Sequence, residues 1–249
     1  MPSLSLIRPS LFASLPVCGA FTTREGGVSQ GDLAGLNLGH LAGERPEHLA
    51  ENWRMVLDAI GAREVALMNQ VHGAAVLRVA AGPGVHRLIG DADAAICTVP
   101  GVAVAVRVAD CVPVLLATPR GVAAVHSGWR GTAQAIVPAA VRALCEATGD
   151  PPAQVRAAVG PHIQAEVYEV GEAVIAALVA AGLPREVVCR PGARPHADLA
   201  AAIRYQLAQS GVLVVEEVGR CTLQDPSLWS YRRDGAAAGR QAGVVALCG

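Results

Sequence analysis

Two imidazoles and one thiol stand where apolar runs of this sequence give way to polar residues and glycine. The thiol lies in Asp110-Cys111-Val112-Pro113. One imidazole follows the apolar run 122–125, in His126-Ser127-Gly128-Trp129-Arg130-Gly131-Thr132, and the other lies upstream in Asn69-Gln70-Val71-His72-Gly73. Two histidines and a cysteine can hold a zinc ion and leave its fourth position open, the pattern of catalytic rather than structural zinc. Each residue also has an ordinary use. A cysteine among strand residues is commonly a small buried hydrophobe, and a histidine ahead of a glycine turn commonly caps a helix. Asp110 and Pro113 bracket the thiol and put it at a strand end, and all three residues fall at changes of local structure, which favours a joint site. On residues alone a metal-free pairing, with Cys111 as nucleophile and His126 as base, stays open.

The turn after His126 carries a second argument. Backbone N–H groups at a helix start, with Ser127, Thr132 and the fixed charge of Arg130 close by, form a candidate anion site for which phosphate is the natural guess. The plainer alternative is that Thr132 caps the helix and Arg130 pairs with a surface carboxylate. Trp129 either stacks on a flat heterocycle or fills core.

Composition narrows the classes. A chain of 249 residues with 52% hydrophobic content buries roughly 70–75% of the surface its unfolded form exposes, so one domain over residues 1–249 is the default. The net charge is -1 and all 20 basic residues are arginines, dispersed along the chain, which argues against nucleic acid and anionic membrane as partners. The absence of lysine excludes Schiff-base chemistry, a pyridoxal cofactor and a Walker-type phosphate loop. Seven cysteines without a Cys-x-x-Cys pair suit a reducing compartment. Arg8 and the prolines at positions 2, 9 and 16 spoil a signal-peptide core. The longest uncharged apolar stretch, 94–106, is broken by Pro100-Gly101 and falls short of the ~20 residues that cross a bilayer. The chain reads as soluble and cytoplasmic, with oligomeric state left open and a monomer among the options.

The elements that must position these groups follow from periodicity. Helices are predicted over 46–60, where Leu49, Trp53, Val56, Leu57 and Ile60 recur at helical spacing, over 132–148 with a kink or restart at Pro138, and over 172–181 and 198–210. Strands are predicted at 17–23, 65–68, 75–79, 94–98, 102–106, 113–117, 122–125, 155–159, 212–218 and 243–247. Glycine-rich loops at 24–29 and 35–39 let backbone approach a ligand, and 221–239 reads as irregular. Mixed hairpin and crossover connections argue for an α/β (α+β) fold with a mixed sheet flanked by helices.

Seven segments, in order and over nearly the whole chain, resemble one family. They are Asn69-Gln70-Val71-His72-Gly73, Asp91-Ala92-Asp93-Ala94, Ala109-Asp110-Cys111-Val112-Pro113, the His126 to Thr132 motif, Gly160-Pro161, Tyr168-Glu169-Val170 and Ser230-Tyr231-Arg232-Arg233-Asp234. The family is the laccase-domain or multicopper polyphenol oxidase family, also called YfiH-like. The resemblance implies a single-domain α/β/β/α sandwich with mixed sheets, akin to cytotoxic necrotizing factor. It implies that His72, Cys111 and His126 bind zinc, with copper an alternative occupant. It also implies purine nucleosides and phosphate as substrates. The reactions would be phosphorolysis of adenosine, inosine, guanosine and S-methyl-5′-thioadenosine, and deamination of adenosine. Four-copper laccase chemistry is unexpected, because it calls for about ten histidines in His-x-His pairs, whereas this chain has seven histidines and no such pair.

On this reading a zinc-activated water attacks C6 of adenosine, while Arg130 and the turn amides orient phosphate. Asp110, Asp93 and Glu169 are candidates for general acid or ribose contact. Arg24, Asn37, Gln70, Ser127 and Arg233 are carried over as pocket residues. One departure stands out: where the family commonly has a small residue or cysteine after Gly-Pro, this chain has His162, expected either to line the pocket or to supply a fourth ligand. The rival classes are a cysteine hydrolase or amidase using Cys111 and His126, a copper-loaded polyphenol oxidase, and a non-catalytic binding scaffold.

Overall fold

The computed structural model describes residues 4–80, 82, 86–190 and 192–248. In chain order the first elements are β1 (Leu6–Ile7), β2 (Val17–Thr22), α1 (Pro46–Ile60), β3 (Glu64–Asn69), β4 (Val76–Val79), β5 (His86–Asp91) and β6 (Ala94–Cys97). The central hairpin follows: β7 (Val102–Val108), β8 (Val112–Thr118), β9 (Gly121–Ser127), α2 (Trp129–Ala133) and α3 (Ile136–Thr148). The remainder comprises β10 (Arg156–Val159), α4 (Glu172–Ala180), α5 (Arg185–Val188), β11 (Cys189–Arg190), β12 (His196–Ala197), α6 (Leu199–Gln209), β13 (Val214–Glu217), α7 (Tyr231–Asp234) and β14 (Gln241–Leu247).

Two six-stranded mixed sheets form the centre, in the orders β1-β2-β14-β7-β3-β5 and β13-β10-β8-β9-β6-β4. Their strands are apolar on both sides because each sheet is covered twice. On β7, Val104 and Val106 point between the sheets, where they meet Leu115, Ala117, Val122 and Ala124, while Ala103 and Ala105 pack beneath Trp53 and Val56 of α1. On the far side Val114 and Leu116 of β8 and Val125 of β9 meet Val137, Val141 and Leu144 of α3 and Ile203 of α6. The layers are therefore α/β/β/α in one domain, as the family resemblance implied.

The expected strands and the helix at 46–60 are present, and the differences have local causes. The helix expected over 132–148 is interrupted at Ala135, which adopts φ 58°, and α3 restarts so that Pro138 falls in its first turn, where a missing N–H costs nothing. Strand β5 has the polar sequence His-Arg-Leu-Ile-Gly-Asp; it is an edge strand with one face open, so it lacks the apolar alternation of a buried strand. The segment 221–239, expected to be irregular, contains the single turn α7, capped by the Ser230 side chain accepting from Arg233 N. Among the described residues no helix is long and apolar enough to cross a membrane.

Candidate active site

Strand register explains how distant residues meet. In the β8/β9 hairpin Pro113 stands opposite His126 and Val112 opposite Ser127, so Cys111, one step earlier, comes up against Gly128. In β6/β9 Ala94 stands opposite Val125, which sets Asp93 beside His126, and His126 N donates to Asp93 O at 2.7 Å. Alternation from the inter-sheet residues Ala95, Leu115 and Ala124 carries Asp93, Cys111 and His126 onto the same face. His72 enters from the β3–β4 turn with φ 60°, and Asp110 in the β7–β8 turn has φ 94°; both conformations are costly for residues with a Cβ and tend to persist where the surroundings impose them.

The donor atoms of His72, Cys111 and His126 all lie within 4.8 Å of one another. The imidazoles meet edge to face with centroids 4.9 Å apart. Gly128 is required here by space: a Cβ on it would sit 3.0 Å from Cys111 Sγ and 3.4 Å from His72 Cδ2.

Asp93 organises the group. It is fully buried. Its Oδ1 accepts from His126 Nδ1 at 2.8 Å and from His72 N at 3.0 Å, and its Oδ2 accepts from Gly73 N at 2.7 Å and Val71 N at 3.2 Å. Burial alone would raise its pKa, but these bonds and the His126 charge bring it below the usual carboxylate range. Because the carboxylate only accepts, His126 carries its proton on Nδ1 and turns Nε2 toward the thiol. Burial pushes the Cys111 thiol up, yet the two imidazoles outweigh it and hold it at about 6. His126 is pushed down by burial and raised more strongly by the thiolate and Asp93, to about 9. In the metal-free chain both shifts favour a thiolate facing an imidazolium.

The donor set fits a metal ion. Two imidazoles and a thiolate leave one tetrahedral position free, and a carboxylate behind the buried histidine fixes the tautomer as metal-binding histidines require. The residues would equally suit copper by donor type.

These groups form one side of a cavity of about 550 Å³ that is also lined by Gln70, Asp110, Arg130, Trp129, Tyr168 and Tyr231. Arg107, Arg232 and Arg240 line it as well, which makes four arginines with Arg130. Gln70 pins the β3–β4 turn to the end of β7, donating to Arg107 O at 2.8 Å and accepting from Arg107 N at 2.9 Å. Asp110 accepts from Thr222 Oγ1 and from Arg232 N, both at 2.6 Å, so both its oxygens anchor the wall carrying Arg232. Arg130 stacks over Trp129 at 4.4 Å and is exposed.

Six expected residues lie elsewhere. His162 is buried with Nδ1 against Gly160 O at 2.9 Å, outside both the donor group and the cavity wall; burial pulls its pKa down, and the chain's own backbone absorbs its polarity. Glu169 pairs with Arg194 at 2.6 Å on the surface. Arg233 is a clamp whose guanidinium donates to the carbonyls of Thr222 and Leu228. Arg24 covers the Trp229 ring at 3.9 Å. Ser127 is buried against Thr132 Oγ1 at 2.9 Å. Asn37, fully buried, receives Gly39 N at 3.1 Å and Arg240 N at 2.8 Å, and thereby positions two wall residues without reaching the cavity. Asp93, a candidate for general acid or ribose contact, is committed to His126 and the His72 turn.

The structure adds Arg107, Arg240, Arg232, Tyr168 and His40 to the wall. No motif marks Arg107 or Arg240, each a lone arginine at one end of an apolar strand; the only hint is a charge bordering an otherwise buried run.

The profile of the family described as multi-copper polyphenol oxidoreductase laccase matches residues 18–248. A purine nucleoside phosphorylase of Deinococcus radiodurans is 42% identical over 250 residues, covering 99% of this chain and 94% of that protein. One from Corynebacterium glutamicum is 40% identical over 236 residues, covering 93% and 95%. Among solved structures, the hypothetical protein YfiH of Bacillus licheniformis superposes with a TM-score of 0.90 at 27% identity, covering 99% of this chain and 97% of that one. YlmD of Geobacillus stearothermophilus gives 0.89 at 28%, covering 97% and 94%.

Proposed function

This chain belongs to the multi-copper polyphenol oxidoreductase laccase family, and from that membership and the geometry of its cavity we propose that it is a metal-dependent purine nucleoside phosphorylase that also deaminates adenosine. The observation that carries the reading is the meeting, in one cavity, of the His72–Cys111–His126 donor group with a wall of four arginines. A one-metal donor group and a cationic wall suit a neutral nucleoside and a phosphate better than they suit a phenol. The relatives named purine nucleoside phosphorylase support the same substrate class.

His72, Cys111 and His126 would hold a zinc ion, which when bound would supply Lewis acidity and an activated water. The chain's own residues do the rest. Trp129 and Tyr231 line the space that would take a flat purine. The arginines hold phosphate against C1′, converting a bimolecular encounter into a positioned one. Burial raises the pKa of Tyr168, so its hydroxyl stays protonated and donates to the purine as the glycosidic bond breaks. The substrates are adenosine, inosine, guanosine and S-methyl-5′-thioadenosine. Among the described residues His72, Cys111 and His126 are the one group of three or more candidate ligands, which falls short of the four-copper arrangement a laccase needs.

The test is incubation of metal-analysed protein with adenosine, with and without phosphate, resolving adenine, hypoxanthine, inosine and ribose 1-phosphate. Phosphate-dependent release of base is expected, and Cys111→Ala should lose both reactions while remaining folded. Full turnover in that variant would refute the assignment.

The Asp93–His126–Cys111 relay favours one second reading. It has the order of a nucleophilic triad, and a cysteine hydrolase or amidase would use it without His72. Activity surviving complete metal removal would select that reading.

A further inference from the structure

Arg107 at the end of β7 and Arg240 just before β14 lie diagonally on one face of the first sheet, since Arg107 stands opposite Ala242. That face carries the row Ala103, Ala105 and Ala242 packed under α1, so both guanidiniums emerge where the apolar cover ends. Both are only partly exposed and both line the cavity. Their side-chain bonds go to backbone carbonyls: Arg107 Nη2 donates to Met68 O at 2.8 Å, and Arg240 Nη1 donates to Ala238 O and to Gly239 O at 3.0 Å. Among the described residues no carboxylate is within salt-bridge distance of either.

Two neighbouring cations half withdrawn from water with no direct ion pair are an expensive arrangement, only partly offset at Arg240 by the charges of Cys111 and Asp110. Burial lowers the pKa of each, and for Arg107 the charge of Arg240 adds to it; guanidinium nonetheless stays protonated. The remaining donors of each fork are unspent among the described residues and are not sealed from solvent. Gly39 holds the arrangement in place: a Cβ there would lie 2.6 Å from Arg240 Cγ, so the Arg240 stem runs across a surface only glycine provides.

We propose that Arg107 and Arg240 form the seat of a phosphate dianion, the phosphate co-substrate of the reaction. The proposal rests on the phosphorolytic reading above and moves the phosphate from the turn after His126 to the opposite sheet. Two fixed charges match the two of the dianion, and planar forks suit its oxygens bidentately. Arg130 is a weaker seat, being exposed, stacked on Trp129 and carried by a helix of only five residues; it guides the anion in from the rim.

The experiment titrates inorganic phosphate into the full chain calorimetrically and measures KM for phosphate and for inosine separately. The variants are Arg107→Gln, Arg240→Gln, Arg240→Lys and Gly39→Ala, with Arg142→Gln on α3 as the control for net charge. Each glutamine variant is expected to weaken phosphate binding and raise its KM at least tenfold while moving the inosine KM less than threefold. Arg240→Lys should fall between, and Gly39→Ala, which displaces Arg240 without removing it, should also weaken phosphate. Ribose 1-phosphate should compete with inorganic phosphate. A nucleoside 5′-monophosphate that binds through the pair when inorganic phosphate does not would overturn the proposal. So would an unchanged phosphate KM in folded Arg240→Gln and Gly39→Ala, with phosphorolysis itself intact. Phosphate binding lost in those variants, in a wild-type chain without phosphorolysis, would instead keep the seat and remove the reaction assigned to it.

Discussion

Asp93 Oδ1 accepts at once from the ring of His126, at 2.8 Å, and from the backbone N–H of His72, at 3.0 Å. One carboxylate thus sets the tautomer of the buried histidine and the position of the exposed one.

Asp93→Asn should therefore cost more than a lost charge. Whichever way the amide is turned, its NH₂ faces two donors, either His126 Nδ1 and His72 N or Gly73 N and Val71 N. Metal affinity is expected to fall about 10–100-fold, the usual cost of losing a residue that orients a ligand, as measured by competition with a chromophoric chelator. Affinity within twofold of wild type would contradict the organising role of Asp93.

Gly128→Ala tests the closeness of the donor group. Gly128 has φ −82°, so alanine carries no backbone strain, and its methyl meets Cys111 Sγ at 3.0 Å and His72 Cδ2 at 3.4 Å. Metal affinity should drop about tenfold while the metal-free protein melts near the wild-type temperature. A melting loss equal in the presence and absence of metal would place the effect in the fold instead.

His72→Ala separates the two catalytic readings. It removes a candidate metal ligand but leaves Asp93, His126 and Cys111 in line. Phosphorolysis and deamination are expected to fall by at least two orders of magnitude, comparable to loss of a principal catalytic group, and dialysis against a strong chelator should do the same to the wild type. Hydrolase activity retained in both would favour the nucleophilic thiol.

A stability prediction concerns Glu216, where β13 meets the segment after β1. Burial alone would raise its pKa, but bonds from Ser10 Oγ at 2.7 Å, Ser10 N at 3.1 Å and Leu11 N at 2.9 Å lower it from 4.5. A carboxylate depressed in the folded state stabilises above its unfolded pKa, and that contribution is lost as pH falls through the folded value. Glu216→Gln should cost about 1 kcal/mol at pH 7, or a Tm lower by ~2–4 °C, with the gap closing as pH drops below 4.5. A gap that widened on acidification would reverse the sign assigned to this group.

The individual candidate ligands were legible because each sits where periodicity breaks. His126 ends the apolar run of β9, Cys111 precedes that of β8, and His72 follows that of β3. The arginine wall was not legible, because Arg107 and Arg240 are 133 positions apart in number and nothing local distinguishes them from surface arginines. Of the carried-over residues, Asn37 bears on the cavity wall by holding Gly39 and Arg240, Arg233 clamps the carbonyls of Thr222 and Leu228, and Arg24 and Glu169 are spent on Trp229 and Arg194.

What composition and pattern decide by themselves is the set of elements and the chemistry available: apolar strands that demand a mixed sheet covered by helices, no lysine, and a thiol and two imidazoles at strand ends. Those are local properties, written in side-chain polarity and spacing. Which donors come within reach of one another, which carboxylate stands behind them, and which cations lack an ion pair were decided only in three dimensions. Strand pairing joins residues across β6, β8 and β9, and across β7 and β14, by backbone hydrogen bonds that any sequence can make, so the register that brings Asp93 to His126 or Arg107 to Arg240 leaves no mark on the residues themselves.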